Sequence, residues 1–460
     1  MRRLILCVAM ALTACTPTAP DLVPEIASRA AVEDLPPLPP VPSFAGPRVG
    51  APDVSNADLA RDVLDLTFSL ESGRRLDVFT RFDTPIRVRA VGRAGPTFAR
   101  DLGRVVDRLR REAGLDIRMS RDAGAEITVQ AVPRAEIRSH LPQAACFVVP
   151  NVSSLAEYAN ARRTSQVSWS KLTARHRAAV FVPSDTSPQE VRDCLHEELA
   201  QALGPLNDLY RLPDSVFNDD NVHTVLTGYD MLVLRVLYDS DLRSGMTRAQ
   251  VAERLPAILA RVNPAGEGRP ATALRPTPRS WVEAVQTALG PGAGNDARLA
   301  AARRGVQIAE SLDWQDHRRG FSHYALGRIL QGRDPDAAQA QFLAADRIFA
   351  SSPRTRLHRA YVAAQIAAHD IARGRPEDAL ARIEPNLDIA ARHENAALLS
   401  TLMLLRAEAL DLTGRTDAGR AVRLDSLGWA RYGFGADWAV RAKLREITAL
   451  NPLKGGLGRS

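Results

Sequence analysis

From residue 58 to 69 the apolar positions recur with helical spacing, and from 85 to 91 they alternate as in a strand. Residues 98–113 predict an amphipathic helix, with Leu102, Val105, Val106 and Leu109 on one stripe. Ile117–Met119 and Ile127–Val132 read as short strands. The apolar runs 145–150 and 178–182, bounded by turn residues, read as buried strands. Ser187-Pro188-Gln189-Glu190 then opens a helix: Ser caps it, Pro occupies the first turn, and Glu190 can close a capping box. Along that helix Val191, Leu195, Leu199, Ala202 and Leu203 share one face, while Glu197, Glu198 and Gln201 share another with Cys194 beside them. Residues 55–262 therefore predict an α/β or α+β domain with one mixed sheet and a late central helix.

Beyond about residue 271 the strand signals stop. Turn-like segments beginning at Gly294, Gly332, Gly374 and Gly414 recur at roughly forty residues between Ala- and Leu-rich helices. In each, a Gly ends one helix and an Asp or Pro-Glu-Asp starts the next. The pattern resembles tetratricopeptide-like repeats, with Tyr324, Leu326, Gly327, Ala340 and Phe342 at packing positions; a non-repetitive helical bundle is the alternative. An all-α repeat domain is expected over 280–450. A linker over 263–279, stiffened by Pro264, Pro270, Pro276 and Pro278, precedes it, and 451–460 reads as a flexible tail.

The N-terminus changes the picture. Arg2 and Arg3 precede an apolar run too short to span a bilayer, which would need about 20 apolar residues. Leu12-Thr13-Ala14-Cys15 closes it and resembles the lipobox of bacterial lipoproteins, which implies a signal peptide over 1–15 and lipidation of Cys15. Several acyl chains on that cysteine would anchor the chain to a membrane. Thr16, where the family has Asp for inner-membrane retention, points to the outer membrane, facing the periplasm. The Pro-rich stretch 16–54 reads as a disordered tether.

Charge adds little. The net +7 rests on arginine, since Lys171, Lys443 and Lys454 are the only lysines, and no aromatic-interleaved basic stripe suggests nucleic acid. With Cys7 in the signal and Cys15 lipidated, Cys146 and Cys194 remain, and in an oxidising compartment a disulfide is expected in preference to a metal site.

Glu197-Glu198-Leu-Ala-Gln201-Ala-Leu-Gly204 resembles the zinc helix of metzincin-type peptidases with its ligands altered. Glu197 and Gln201 stand where histidines would bind zinc, Glu198 keeps the place of the general base, and Asn207 falls at the third ligand. The stretch from Leu226 to Tyr238 resembles the helix that supports such a site. Carboxylate and amide oxygens suit a hard ion better than zinc. In a second register His196-Glu197 starts the motif, but Ala200 occupies the second ligand position.

Taken with Cys146, Cys194, Asn207-Asp208, Tyr229-Asp230 and Gly245-Met246, the sequence resembles the bacterial envelope family of domain-of-unknown-function 2927. The resemblance implies a zincin-like domain without assigning a reaction. Two functions follow as expectations. One is a non-catalytic scaffold that holds an envelope protein or peptide at a polar cluster of Glu197, Glu198, Gln201, Asn207 and Asp208, with no cofactor. The other is a divergent hydrolase using Glu198 as general base, with a divalent metal held by Glu197, Gln201 and Asn207.

Overall fold

The computed structural model describes residues 38–46, 52–272, 274 and 276–454. The signal segment, Cys15 and most of the Pro-rich stretch lie outside these residues.

The alternating and apolar runs form the strands β1 (Ile86–Val91), β2 (Ile117–Met119), β3 (Ile127–Val132), β4 (Phe147–Pro150) and β5 (Ala178–Pro183). They join in one mixed sheet of order β2-β1-β3-β5-β4. β1 runs parallel to β2 and β3, and β3 parallel to β5, whereas β4 closes one edge antiparallel to β5. Every residue of β5 is buried, as expected of a strand near the middle of a sheet covered on both faces.

Around the sheet lie α1 (Asn56–Thr67), α2 (Phe98–Glu112), α3 (Arg134–His140), α4 (Leu155–Ala161), α5 (Pro188–Leu203), α6 (Gly228–Leu237) and α7 (Arg248–Val262). α5 is the central helix. It packs on β4 and β5 on one side and on α2 on another, burying Val191, Leu195, Leu199 and Leu203 in the main core. Its start keeps half of the expected capping chemistry: Glu190 N donates to Ser187 Oγ at 3.2 Å and Pro188 occupies the first turn, but the Glu190 carboxylate is taken by Arg134 and Thr186 instead of closing the box.

Cys146, just before β4, joins Cys194 on α5 in a disulfide with Cα atoms 5.9 Å apart. It ties the sheet edge to the central helix. Because the bridge spans 48 residues, reduction is expected to cost about 4 kcal/mol through the larger entropy of the opened chain. Urea midpoints with and without reductant measure this; an unchanged midpoint would mean packing alone holds the edge.

The remainder is helical: α8 (Arg279–Leu289), α9 (Asn295–Ser311), α10 (His317–Leu330), α11 (Pro335–Phe349), α12 (Arg356–Ala372), α13 (Pro376–Arg392), α14 (Ala396–Leu412), α15 (Thr416–Phe434) and α16 (Asp437–Thr448). Each packs on the next, and Gly332, Gly374 and Gly414 fall in the turns between them. Gly327 lets α10 approach α11 closely: a Cβ there would stand 2.6 Å from the Phe342 ring. None of the helices among the described residues is long and apolar enough to cross a membrane.

The α/β and helical parts form one compact unit, sharing a buried junction. Arg192 of α5 pairs with Glu394 at 3.2 Å, and both side chains are about 95% buried. His358 donates to Asp220 at 2.8 Å, Tyr432 to Asp101 at 2.8 Å, and the Tyr210 and Trp281 rings meet edge-on at 5.0 Å. The Pro-rich linker is fastened back on α1, where Thr272 N donates to Asp58 and Asn263 to the Val54 carbonyl.

Two stretches read as loose from sequence are held in the structure. Residues 38–46, within the expected tether, lie along α15: Phe44 is buried against Trp429 and Tyr432, and Arg431 donates to the Leu38 and Pro39 carbonyls. At the other end Asn451 and Lys454, in the expected tail, bond the buried Glu408 at 3.0 and 2.7 Å. A Pro-rich run lacks its own core, but it can add an aromatic anchor to someone else's.

Candidate functional site: an acidic face of the central helix

α5 ends where its backbone carbonyls meet Arg175. The guanidinium donates to the Gln201, Ala202 and Gly204 carbonyls at 2.6–2.7 Å and to Thr80 at 3.2 Å, and it stacks over Trp169. A helix C-terminus carries partial negative charge on exactly such unpaired carbonyls, so a buried cation is well placed there. Gly204 follows because a Cβ would stand 2.5 Å from Leu237 of α6. The chain then crosses a long loop, braced by Asp230, which accepts from Ser215 and from the backbone of Val216 and Thr227. Tyr229 donates to Asp62, which also receives Arg211. Tyr229 and Asp230 thus shape the loop that faces α5.

The acids of α5 and this loop converge. Glu198 is 5% exposed, and its Oε2 has no hydrogen-bond partner. Glu197 and Asp208 are half-buried beside it, and Asp208 Oδ1 also lacks a partner. Gln201 is 9% exposed, and its carboxamide makes no hydrogen bond to the described residues. Glu71, from the turn after α1, and Asp219 complete the set; Asp219 accepts from Tyr210 at 2.8 Å.

Burial first, then repulsion from neighbouring carboxylates, raises the acids of α5 and the loop, and Glu71, whose side chain stays exposed, shifts in the same direction. Glu197 is pushed up to about 7, by burial and then by Glu71 and Asp219. Glu198 and Asp208 rise well above the carboxylate range, with Glu197 and Glu71 adding to burial. Asp219 and Glu71 also rise. Like charges gathered in a sheltered place cannot all ionise. Asp219 and Tyr210 form part of the wall of a cleft of about 770 Å³, which Gln143, Gln286 and Phe321 also line.

Of the cluster expected from sequence, Glu197, Glu198, Gln201 and Asp208 come together. Asn207 does not: its carboxamide donates to the Asp65 carbonyl at 3.0 Å, on the α1 side. The neighbouring Asp208 takes the inward position instead. Glu71, Asp219 and Tyr210 were not legible, since they come from separate turns with no shared spacing. His196, the start of the alternative register, is buried on the opposite side, where its Nδ1 accepts from Leu226 N at 3.3 Å. Among the described residues no three His, Cys, Asp or Glu side chains are disposed to hold a metal ion together.

An α/β domain whose central helix carries a group of sheltered acids, reaching a neighbouring cleft only through Asp219, is the class these features define. Residues 56–257 match the family model described as Protein of unknown function (DUF2927), so this part of the chain carries that domain. No curated protein and no solved structure matches the chain.

Proposed function

We propose that the chain is a lipid-anchored envelope protein whose zincin-like domain holds polypeptide without cleaving it, while tetratricopeptide-like helices contribute a second binding surface. The anchor is Cys15, in the outer membrane facing the periplasm; this rests on the Leu12-Thr13-Ala14-Cys15 pattern and on Thr16. The zincin-like reading is supported by the order of strands ahead of Ser187 and by the place of Glu198 on the central helix.

The observation that carries the binding reading is the acidic face itself. Glu71, Glu197, Glu198 and Asp208 converge with no cationic partner among the described residues, and Asp219 links them to the wall of a neighbouring cleft. A lysine or arginine side chain reaching this group would let the carboxyls ionise and satisfy their free oxygens. The set offers oxygen atoms alone, whereas zinc favours nitrogen and sulfur.

Fluorescence anisotropy of the full chain with short basic, neutral and acidic peptides tests this. Basic peptides are expected to bind, and to bind Glu197→Gln/Asp208→Asn more weakly by about tenfold or more as charge-assisted contacts are lost. Equal affinity for all charges, or none for any, would end the reading. One observation favours the second reading, a metal-assisted hydrolase with Glu198 as general base: burial and then Glu197 and Glu71 raise the Glu198 carboxyl above the usual range, as a catalytic acid or base at neutral pH requires. Peptide hydrolysis abolished by Glu198→Gln would establish it.

A further inference from the structure

On the side of α5 away from the acidic face lies a small pocket of about 200 Å³. Its walls carry Arg104, Arg108 and Arg111 from α2, at spacings of four and three, and Arg192 and His196 from α5, again four apart. Both helices therefore turn basic side chains toward the same space.

The donors there outnumber their acceptors. Arg108 is buried and grips Glu112 and the Leu226 carbonyl through Nε and Nη2, yet its Nη1 has no partner. Arg192 is buried and grips Glu394 through both terminal nitrogens, leaving Nε without a partner. His196 accepts from Leu226 N at Nδ1, so its Nε2 carries the proton and is a further donor. Burial and the two arginines hold that ring well below its ordinary pKa, hence neutral. The exposed Arg111 spends one nitrogen on the Asp107 carbonyl and keeps its terminal nitrogens free.

The acids in the wall are largely engaged. Asp101 receives Tyr432 and lies 3.5 Å from Arg100, and Asp107 pairs with Arg110 at 3.1 Å. Glu394 is held by Arg192, with Oε1 its one free acceptor. An orphaned buried N–H of a charged group is costly, and two arginines in this wall, from different helices, each carry one.

We infer that this pocket is a binding site for a small tetrahedral oxyanion, phosphate or a phosphomonoester group, held by Arg104, Arg108, Arg111, Arg192 and His196. The volume suits one such group, and guanidinium forks match its geometry. The site does not depend on the acidic cleft or on what that cleft binds.

Isothermal titration of the full chain with inorganic phosphate tests it. Saturable one-to-one binding is expected, weakened about tenfold or more in Arg104→Gln/Arg111→Gln as charge-assisted contacts are lost. Arg118→Gln, at an exposed position of β2 and outside the pocket, is expected to leave affinity unchanged. Circular dichroism confirms that the variants fold, and Arg111→Gln alone, at an exposed position, serves if the double variant does not. No saturable binding at millimolar phosphate, or an equal loss in Arg118→Gln, would overturn the site. A parallel titration with phosphatidate vesicles separates the sources: binding to vesicles but not to free phosphate would refute a soluble anion.

Discussion

Arg175→Met is expected to destabilise the protein by about 3–5 kcal/mol, the range for removing one partner of a buried charged network. Methionine fills much of the volume, so the loss isolates the hydrogen bonds. The Gln201, Ala202 and Gly204 carbonyls would each lose a donor at 2.6–2.7 Å in a place water does not reach. Burial lowers the guanidinium pKa only to about 10, so it remains charged at neutral pH. The effect has a place as well as a size. The last turn of α5 carries Gln201, and the loop it launches carries Asp208 and Tyr210. Hydrogen exchange should therefore accelerate first at residues 200–210, before the sheet responds. Arg175→Lys keeps the charge but not the fork, and is expected to recover part of the stability. A urea midpoint within error of the wild type would show that the carbonyls find other donors.

The second large effect is a stability maximum in pH, generated by two opposing sets of groups. At the junction, His223, His317, His358 and His393 stack edge to face with ring centroids 5.5–6.0 Å apart. Burial, followed by repulsion among the rings, lowers His223, His317 and His393 to about 4. Asp214, Asp220 and Asp316 face them with the opposite sign, and Arg354 and Arg392 with the same. An unfolded histidine takes up a proton near 6.5, so between about 6.5 and 4 the unfolded chain binds more protons and stability falls with falling pH. Each fully buried ring contributes on the order of 3 kcal/mol to that loss.

The acidic face works in reverse. Glu197 sits at about 7 in the fold and near 4.5 when unfolded, so the folded form binds more protons between those values. Stability therefore falls as pH rises through that window, by on the order of 3 kcal/mol from this group. The three histidines outweigh Glu197 alone, and Glu198 and Asp208, raised further still, turn the profile over, so stability is expected to pass through a maximum and fall toward alkaline pH. Glu197→Gln should make the alkaline limb shallower, Glu198 and Asp208 retaining the rest, and leave the acid limb in place. Denaturant unfolding between pH 4 and 8 measures both, and a profile rising monotonically to pH 8 would contradict the raised carboxyls.

The parts legible from sequence are those in which one short stretch determines the outcome. The strands around Val88, Val129 and Val180 announce themselves by alternation or by an apolar run, and α5 by its Ser187 cap. The α3 and α4 helices, at seven residues each, are too short to show a period. Glu197, Glu198 and Gln201 share a face by spacing alone, so their convergence could be read. Whether Asn207 or Asp208 turns inward depends on the loop after Gly204, which no periodicity describes. Glu71, Asp219 and Arg175 enter only through tertiary contacts, from turns far away in sequence. The same holds for Phe44, an isolated aromatic in a Pro-rich run, whose role emerges only once α15 is present to receive it.

The junction bears on how the protein can be handled. The family match ends at residue 257, yet Asp220, Arg192, Asp101 and Tyr210 take their partners His358, Glu394, Tyr432 and Trp281 from beyond it. A fragment cut at the edge of the match would leave the buried Arg192 and Asp220 without their partners and bare an aromatic seam to water. Such a specimen would aggregate or relax, and an assay on it would report on the injury. The piece defined by descent and the piece that can stand alone are different objects here, and the second is nearly the whole chain.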